Sequence, residues 1–153
     1  MKYFVDENFS TQLKTAFSNM IEVKGVGGSR LYVLKNHSTL FKFRYGLYRA
    51  GEKTETVSIR VKKFSLARKI TLTTEDGAVC RISGKRGKQE YAFSNGWKAV
   101  GRVAGATSFR IYEGKQVLAA VFRKKNILVI DAEDDREDVL AAALALSAAE
   151  RWE

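Results

Sequence analysis

The chain of 153 residues contains no proline, one cysteine and one histidine. Each scarcity removes a class of explanation. Cys80 alone cannot close an internal disulfide or anchor a cysteine-based zinc site, which points to a reducing compartment. His37 alone excludes multi-histidine metal centres, and no nucleophile–base pair or matched carboxylates stand out for acid–base work. At a usual frequency of ~5%, about eight prolines would be expected. Proline removes a ladder donor, so its absence agrees with extended sheet.

Long apolar runs are missing as well. The longest uncharged stretch near the C-terminus, Val139 to Ala149, would span roughly 16 Å as a helix, about half a bilayer core. Residues 1–9 mix Lys2, Asp6 and Glu7 with apolar side chains and carry no signal-peptide core. The expectation is a soluble, cytoplasmic, single domain spanning 1–153, without transmembrane segment, cofactor or metal. Hydrophobic residues at 45% and charged residues at 29% are ordinary globular values and exclude global disorder.

What the chain has in excess is positive charge, formally +10. It is unevenly spread. Residues 1–130 hold 25 Lys and Arg against 9 Asp and Glu, a net +16, whereas residues 131–153 carry a net −6. The acids gather in Asp131, Glu133, Asp134, Asp135, Glu137 and Asp138. A basic body of this kind points toward an anionic partner such as nucleic acid or a membrane surface.

Most of residues 1–130 alternates with period two, the pattern of half-buried strands. Phe41, Phe43, Tyr45 and Leu47 share one face while Lys42, Arg44 and Gly46 share the other; Val57, Ile59 and Val61 alternate with Ser58, Arg60 and Lys62. Gly27-Gly28, Ala50-Gly51, Asp76-Gly77, Asn95-Gly96 and Glu113-Gly114 punctuate the runs, and Asp-Gly and Asn-Gly are strong hairpin signals. About twelve strands follow, near 2–6, 20–25, 30–35, 40–48, 56–62, 69–74, 78–83, 89–93, 97–103, 107–112, 116–122 and 126–130. Ser10–Phe17 fits either a helical turn or a further strand.

The last segment changes period. Asp134 and Glu137 have capping-box spacing, and Val139 to Ala149 is built of alanine and leucine with apolar residues on every side. A helix over about 135–150 that is apolar all round must be buried all round. The fold class expected is therefore mainly β, a closed antiparallel barrel of about 12 strands enclosing a hydrophobic C-terminal helix. An eight-strand barrel just fills its interior with side chains, so a dozen strands need such a plug.

Lys63-Phe64-Ser65-Leu66-Ala67-Arg68-Lys69-Ile70-Thr71-Leu72, the hairpin Glu75-Asp76-Gly77-Ala78-Val79, and Ile127-Leu128-Val129-Ile130-Asp131 running into Asp138-Val139-Leu140-Ala141 carry a resemblance. From about Ile21 onward the chain resembles the tubby C-terminal fold, in particular its LURP-one-related and scramblase-like members. The resemblance implies membrane-associated, phosphoinositide-binding or scramblase-like relatives and no catalytic residues. No residue-level match to the tubby phosphoinositide pocket is present.

Three basic clusters are candidates for an anion- or lipid-binding surface: Lys62-Lys63 with Arg68-Lys69, Lys85-Arg86 with Lys88, and Arg123-Lys124-Lys125. Lipid and nucleic-acid phosphates both attract such groups, while a solvated exterior that discourages edge pairing would look the same. Tyr45, Tyr48, Tyr91, Trp97 and Tyr112 could stack bases, yet at strand spacing aromatics usually pack. The acids of 131–138 lack the order of an EF-hand loop and read as helix capping. Cys80, in phase with Ile82, reads as a buried structural thiol; His37 reads as a loop residue; Gly25–Arg30 lacks the ending of a phosphate loop. The expected function is a non-enzymatic binding or scaffold domain, peripheral at a membrane, engaging anionic phospholipid headgroups or another polyanion. A nucleic-acid-binding or protein-interaction barrel stays open as the alternative, and a lipocalin-like carrier would need an empty lumen.

Overall fold

The computed structural model describes residues 1–6, 20–39, 42–62, 67–85, 90–102, 108–125 and 127–149. Twelve strands run in chain order as β1 (Lys2–Asp6), β2 (Met20–Lys24), β3 (Arg30–Asn36), β4 (Phe43–Arg49), β5 (Glu55–Val61) and β6 (Ala67–Thr74). They continue as β7 (Val79–Lys85), β8 (Glu90–Phe93), β9 (Lys98–Arg102), β10 (Ser108–Glu113), β11 (Gln116–Lys124) and β12 (Ile127–Ala132), followed by the helix α1 (Glu137–Ala149). The segment Ser10–Phe17 lies outside the described residues.

Every strand pairs antiparallel with its neighbours in sequence, and β1 pairs with β12 to close the barrel. The ring has no free edge, which removes the pairing hazard of an open sheet. Alternation dictates which side chains enter. Tyr45, Leu47, Val57, Ile59, Ile70, Leu72, Ile82, Leu128 and Ile130 are buried in one continuous core. Turn chemistry sets the hairpins: Gly77 and Gly96 adopt φ of 89° and 95°, values open to glycine and costly for other residues.

Helix α1 fills the lumen. Val139 to Leu146 are at most 1% exposed, and Ser147 satisfies its hydroxyl by donating to the Ala143 carbonyl at 2.7 Å. The helix packs on β5, β6, β11 and β12. Alanine keeps its girth small, and a helix with side chains is about 10–12 Å wide, suited to the interior that a twelve-strand ring leaves. Among the described residues, no helix is long and apolar enough to cross a membrane.

The capping box expected from Asp134 and Glu137 is not formed. The first helical hydrogen bond runs from Leu140 N–H to the Arg136 carbonyl, so Arg136 occupies the cap position. Asp134 lies 3.5 Å from the terminal ammonium of Met1, and Glu137 binds Arg49 at 2.7 Å. Asp135 takes φ of 61°, which turns the chain from β12 into the barrel and breaks the spacing that a capping box needs. Glu137 and Asp138 still place negative charge in the first turn, where the helix dipole favours it.

An up-and-down ring sends its connections alternately to two ends. Those after β1, β3, β5, β7, β9 and β11 fall at one rim; those after the even-numbered strands fall at the other. Lys62, Lys69, Lys124 and Lys125 stand at the first, hereafter the basic rim. Glu52, Glu75, Asp76, Glu113 and the 133–138 acids stand at the second, the acidic rim. The acids of 133–138 thus gather at one end of the molecule, together with Glu52, Glu75, Asp76 and Glu113.

A candidate anion-binding site

On the outer wall of β4–β7, two rows of cations run across the strands. Next to the basic rim, Lys62 donates its N–H to the Lys69 carbonyl at 3.0 Å, and Lys69 is paired with Ser83. One step inward along the strands, Arg44 faces Arg60, Arg60 faces Thr71, and Thr71 faces Arg81. Lys42 precedes β4 on the side of the rim row. Between the rows runs the backbone of Phe43, Val61, Ile70 and Ile82, whose side chains pack on or within the core. These residues line a concavity of about 830 Å³.

Six of its lining side chains are cationic: Lys42, Arg44, Arg60, Lys62, Lys69 and Arg81. The hydroxyls of Thr71 and Ser83 add neutral hydrogen-bonding groups, and no carboxylate lines the groove among the described residues. Of the six, only Arg44 has an ion pair among the described residues. Neighbouring strands lie about 4.8 Å apart, so the cations crowd one another. Like charges directly opposite, as with Arg44 and Arg60, are destabilising. At roughly 7 Å in a watery dielectric each such pair costs about 0.6 kcal/mol, which the fold tolerates and a bound anion would relieve.

Glu55 is the acid that reaches toward this wall. Its carboxylate accepts from Arg44 Nη2 at 2.9 Å on each oxygen, and Tyr48 donates its hydroxyl to Oε2 at 3.2 Å. The Tyr48 oxygen is 2.9 Å from His37 Nε2, and Lys35 lies over the Tyr48 ring at 4.6 Å. Burial, reinforced by the Glu55 charge, holds the Tyr48 hydroxyl above its ordinary pKa. Gly46 makes this possible. A Cβ there would overlap the Glu55 carboxylate and the Tyr48 ring, so only glycine lets Glu55 lie along β4. His37, read from the sequence as a loop residue, is thereby tied to the strand wall through Tyr48.

At the acidic rim, by contrast, Arg49 and Arg136 are each matched by two carboxylates. Arg49 binds Glu137 at 2.7 Å and Glu52 at 3.3 Å, and these contacts raise its pKa. Arg136 lies 3.8 Å from Glu133 and 3.3 Å from Asp138.

The three clusters named from the sequence meet different fates. Lys62 and Lys69 come together in the groove. Lys63, Arg86 and Lys88 lie outside the described residues. Arg68 and Lys85 are paired with Gly84 and Ala67 on β6 and β7, which places them at the same rim. Arg123-Lys124-Lys125 belongs to β11 and its turn, far round the ring from β4–β7. Arg123 is paired with the inward Leu128 and is half-buried, whereas Lys124 and Lys125 are exposed. Cys80, read from the sequence as a buried thiol, is only half-buried, although it packs against the core.

Sequence clustering missed Lys42, Arg44, Arg60 and Arg81 because each stands alone along the chain. The Asp76-Gly77 signal does not find them either: a two-residue turn there would pair Thr71 with Ile82, whereas the observed register pairs Thr73 with Val79 and Thr71 with Arg81. Among the described residues no group of His, Cys, Asp and Glu could hold a metal ion. Comparisons with protein-family models, with curated proteins and with solved structures find no match for this chain.

Proposed function

We propose that the protein is a non-enzymatic binding domain that engages the phosphate-bearing headgroups of anionic phospholipids at a membrane surface. The observation that carries this reading is the groove on β4–β7, where six cations converge without a lining carboxylate. Phosphate oxygens accept charge-assisted hydrogen bonds from arginine and lysine, and each basic residue near an anionic leaflet contributes about 1 kcal/mol. Headgroups fit the groove better than stacked bases do, because its one aromatic lining residue, Phe43, packs against the core. The resemblance to tubby-like proteins is in keeping with this reading: such a fold is a closed barrel around a central helix, and its membrane-associated relatives bind anionic lipid.

The test is co-sedimentation with vesicles of phosphatidylcholine alone or mixed with phosphatidylserine, over a salt series. Binding that needs phosphatidylserine and weakens as salt rises is expected. Partitioning that is equal on both vesicles and insensitive to salt would contradict it.

A further inference from the structure

On the opposite side of the barrel, one cross-strand row of the outer wall is apolar. Phe4, Val129 and Phe122 are successive cross-strand partners on β1, β12 and β11. Their neighbours Tyr3, Val5, Leu128, Ile130 and Val121 are in the core, so this row points outward. Val129, in the middle, is nevertheless buried, and Phe122 is 37% exposed. The next row toward the basic rim joins Asp6, Ile127 and Lys124. Ile127 is 44% exposed, and Met20, which opens β2 at the same rim, is 50% exposed. Phe4, Met20 and Ile127 also line a shallow concavity of about 340 Å³.

Exposed aliphatic and aromatic side chains at a rim carry a cost in water that a folding core does not require. Here they sit beside Lys124 and Lys125, both exposed, and at the same end of the barrel as Lys62 and Lys69. An apolar edge flanked by lysines matches the interfacial zone of an anionic bilayer, where apolar groups enter the acyl boundary and ammonium groups stay with the phosphates. Asp6, the cross-strand partner of Ile127, and Glu22 are the two acids lining the concavity, and Lys24 lines it beside them.

The geometry points to a docked orientation: the barrel stands with its basic rim on an anionic bilayer, and Ile127, Met20 and Phe122 enter the interface on the side away from the cationic groove. This inference rests on the membrane reading above and adds to it a defined inserting edge.

Ile127 and Val117 give a matched pair of probes. Both are 44% exposed, but Val117 stands near the start of β11, toward the acidic rim. In a Cys80→Ala background, Ile127→Cys and Val117→Cys are labelled with an environment-sensitive fluorophore and mixed with phosphatidylcholine–phosphatidylserine vesicles. A blue shift and brightening at position 127, with position 117 unchanged, is expected. The unlabelled Ile127→Ser/Met20→Ser double variant should lose about tenfold of the binding that survives high salt, the apolar share of the affinity. Equal responses at both positions, or silence at 127 while the protein co-sediments, would overturn the orientation. So would a shift at 127 that follows protein concentration without vesicles, which would assign the edge to a second copy. Failure of the membrane reading looks different: neither labelled protein would co-sediment at all.

Discussion

Glu55 holds Arg44 through two 2.9 Å contacts from a single guanidinium nitrogen, and it does so by lying across Gly46, the residue where β4 has no side chain. The one neutralised cation of the groove is therefore neutralised by a carboxylate that comes from the far end of β5. Arg44 has a built-in competitor for any anion.

Removing that competitor is the first prediction. Glu55→Gln keeps the shape and the Tyr48 contact while deleting the charge. Affinity for phosphatidylserine vesicles should rise by up to about fivefold, the worth of one further free cation near an anionic surface. Stability should fall by about 1–3 kcal/mol, because the part-buried ion pair is lost and Arg44 keeps only a hydrogen bond to a neutral amide. Denaturant melts and co-sedimentation measure the two effects separately; unchanged or weaker binding would show that Arg44 does not face the ligand.

The second prediction concerns the plug. Leu144 is 1% exposed at the centre of α1. Leu144→Asp exchanges a side chain worth about 1.5–3 kcal/mol of burial for an unpaired charge whose transfer costs several kcal/mol more. The sum rivals the whole stability of a small domain. No soluble, cooperatively folding protein is expected, whereas Leu144→Met should cost less than about 1.5 kcal/mol. A soluble Leu144→Asp variant with an unchanged thermal transition would contradict the enclosed helix.

Alkaline pH supplies a third. Burial first, and the Glu137 charge second, push the Tyr32 hydroxyl up to about 12. An unfolded tyrosine ionises near 10. Below pH 10 both states hold the proton and the shift contributes no cost. From 10 to about 12 the unfolded chain releases it first, so stability falls as pH rises. Tyr3, buried and facing Asp134, shifts in the same direction. Thermal midpoints followed from neutral pH upward should stay level to about 10 and then decline, and Tyr32→Phe should flatten that decline. A midpoint independent of pH through this window would contradict the burial of the hydroxyl.

The architecture was largely legible because one physical signal, period-two alternation broken by glycine turns, repeats along the whole barrel wall. The helix was legible because alanine and leucine surround it on every side. The capping box failed for a local reason: Asp135 at φ 61° re-aims the chain, and Glu137 finds Arg49, a residue 88 positions earlier, which no spacing rule near the helix could indicate. The groove was half legible. Lys62 and Lys69 were visible as clusters, and alternation placed Arg44 and Arg60 on the outer face, but their meeting depends on register. That register shifts by one residue at Leu47/Tyr48, an irregularity with no mark in the sequence. Likewise Arg123 looked equivalent to Lys124 along the chain, and the strand phase turns it the other way.

The central claim is that position, rather than total charge, makes the protein an anion binder. Two double variants that each remove two positive charges decide it: Arg60→Ser/Arg81→Ser in the groove, and Lys98→Ser/Lys115→Ser at the acidic rim, where both lysines are exposed. Partitioning onto phosphatidylserine-containing vesicles at physiological salt is measured for both against the parent chain. The groove variant should lose about thirtyfold, two cations at about 1 kcal/mol each, while the rim variant stays close to the parent. Equal losses in the two variants would contradict the account, since they would reduce the groove to a share of a diffuse positive charge.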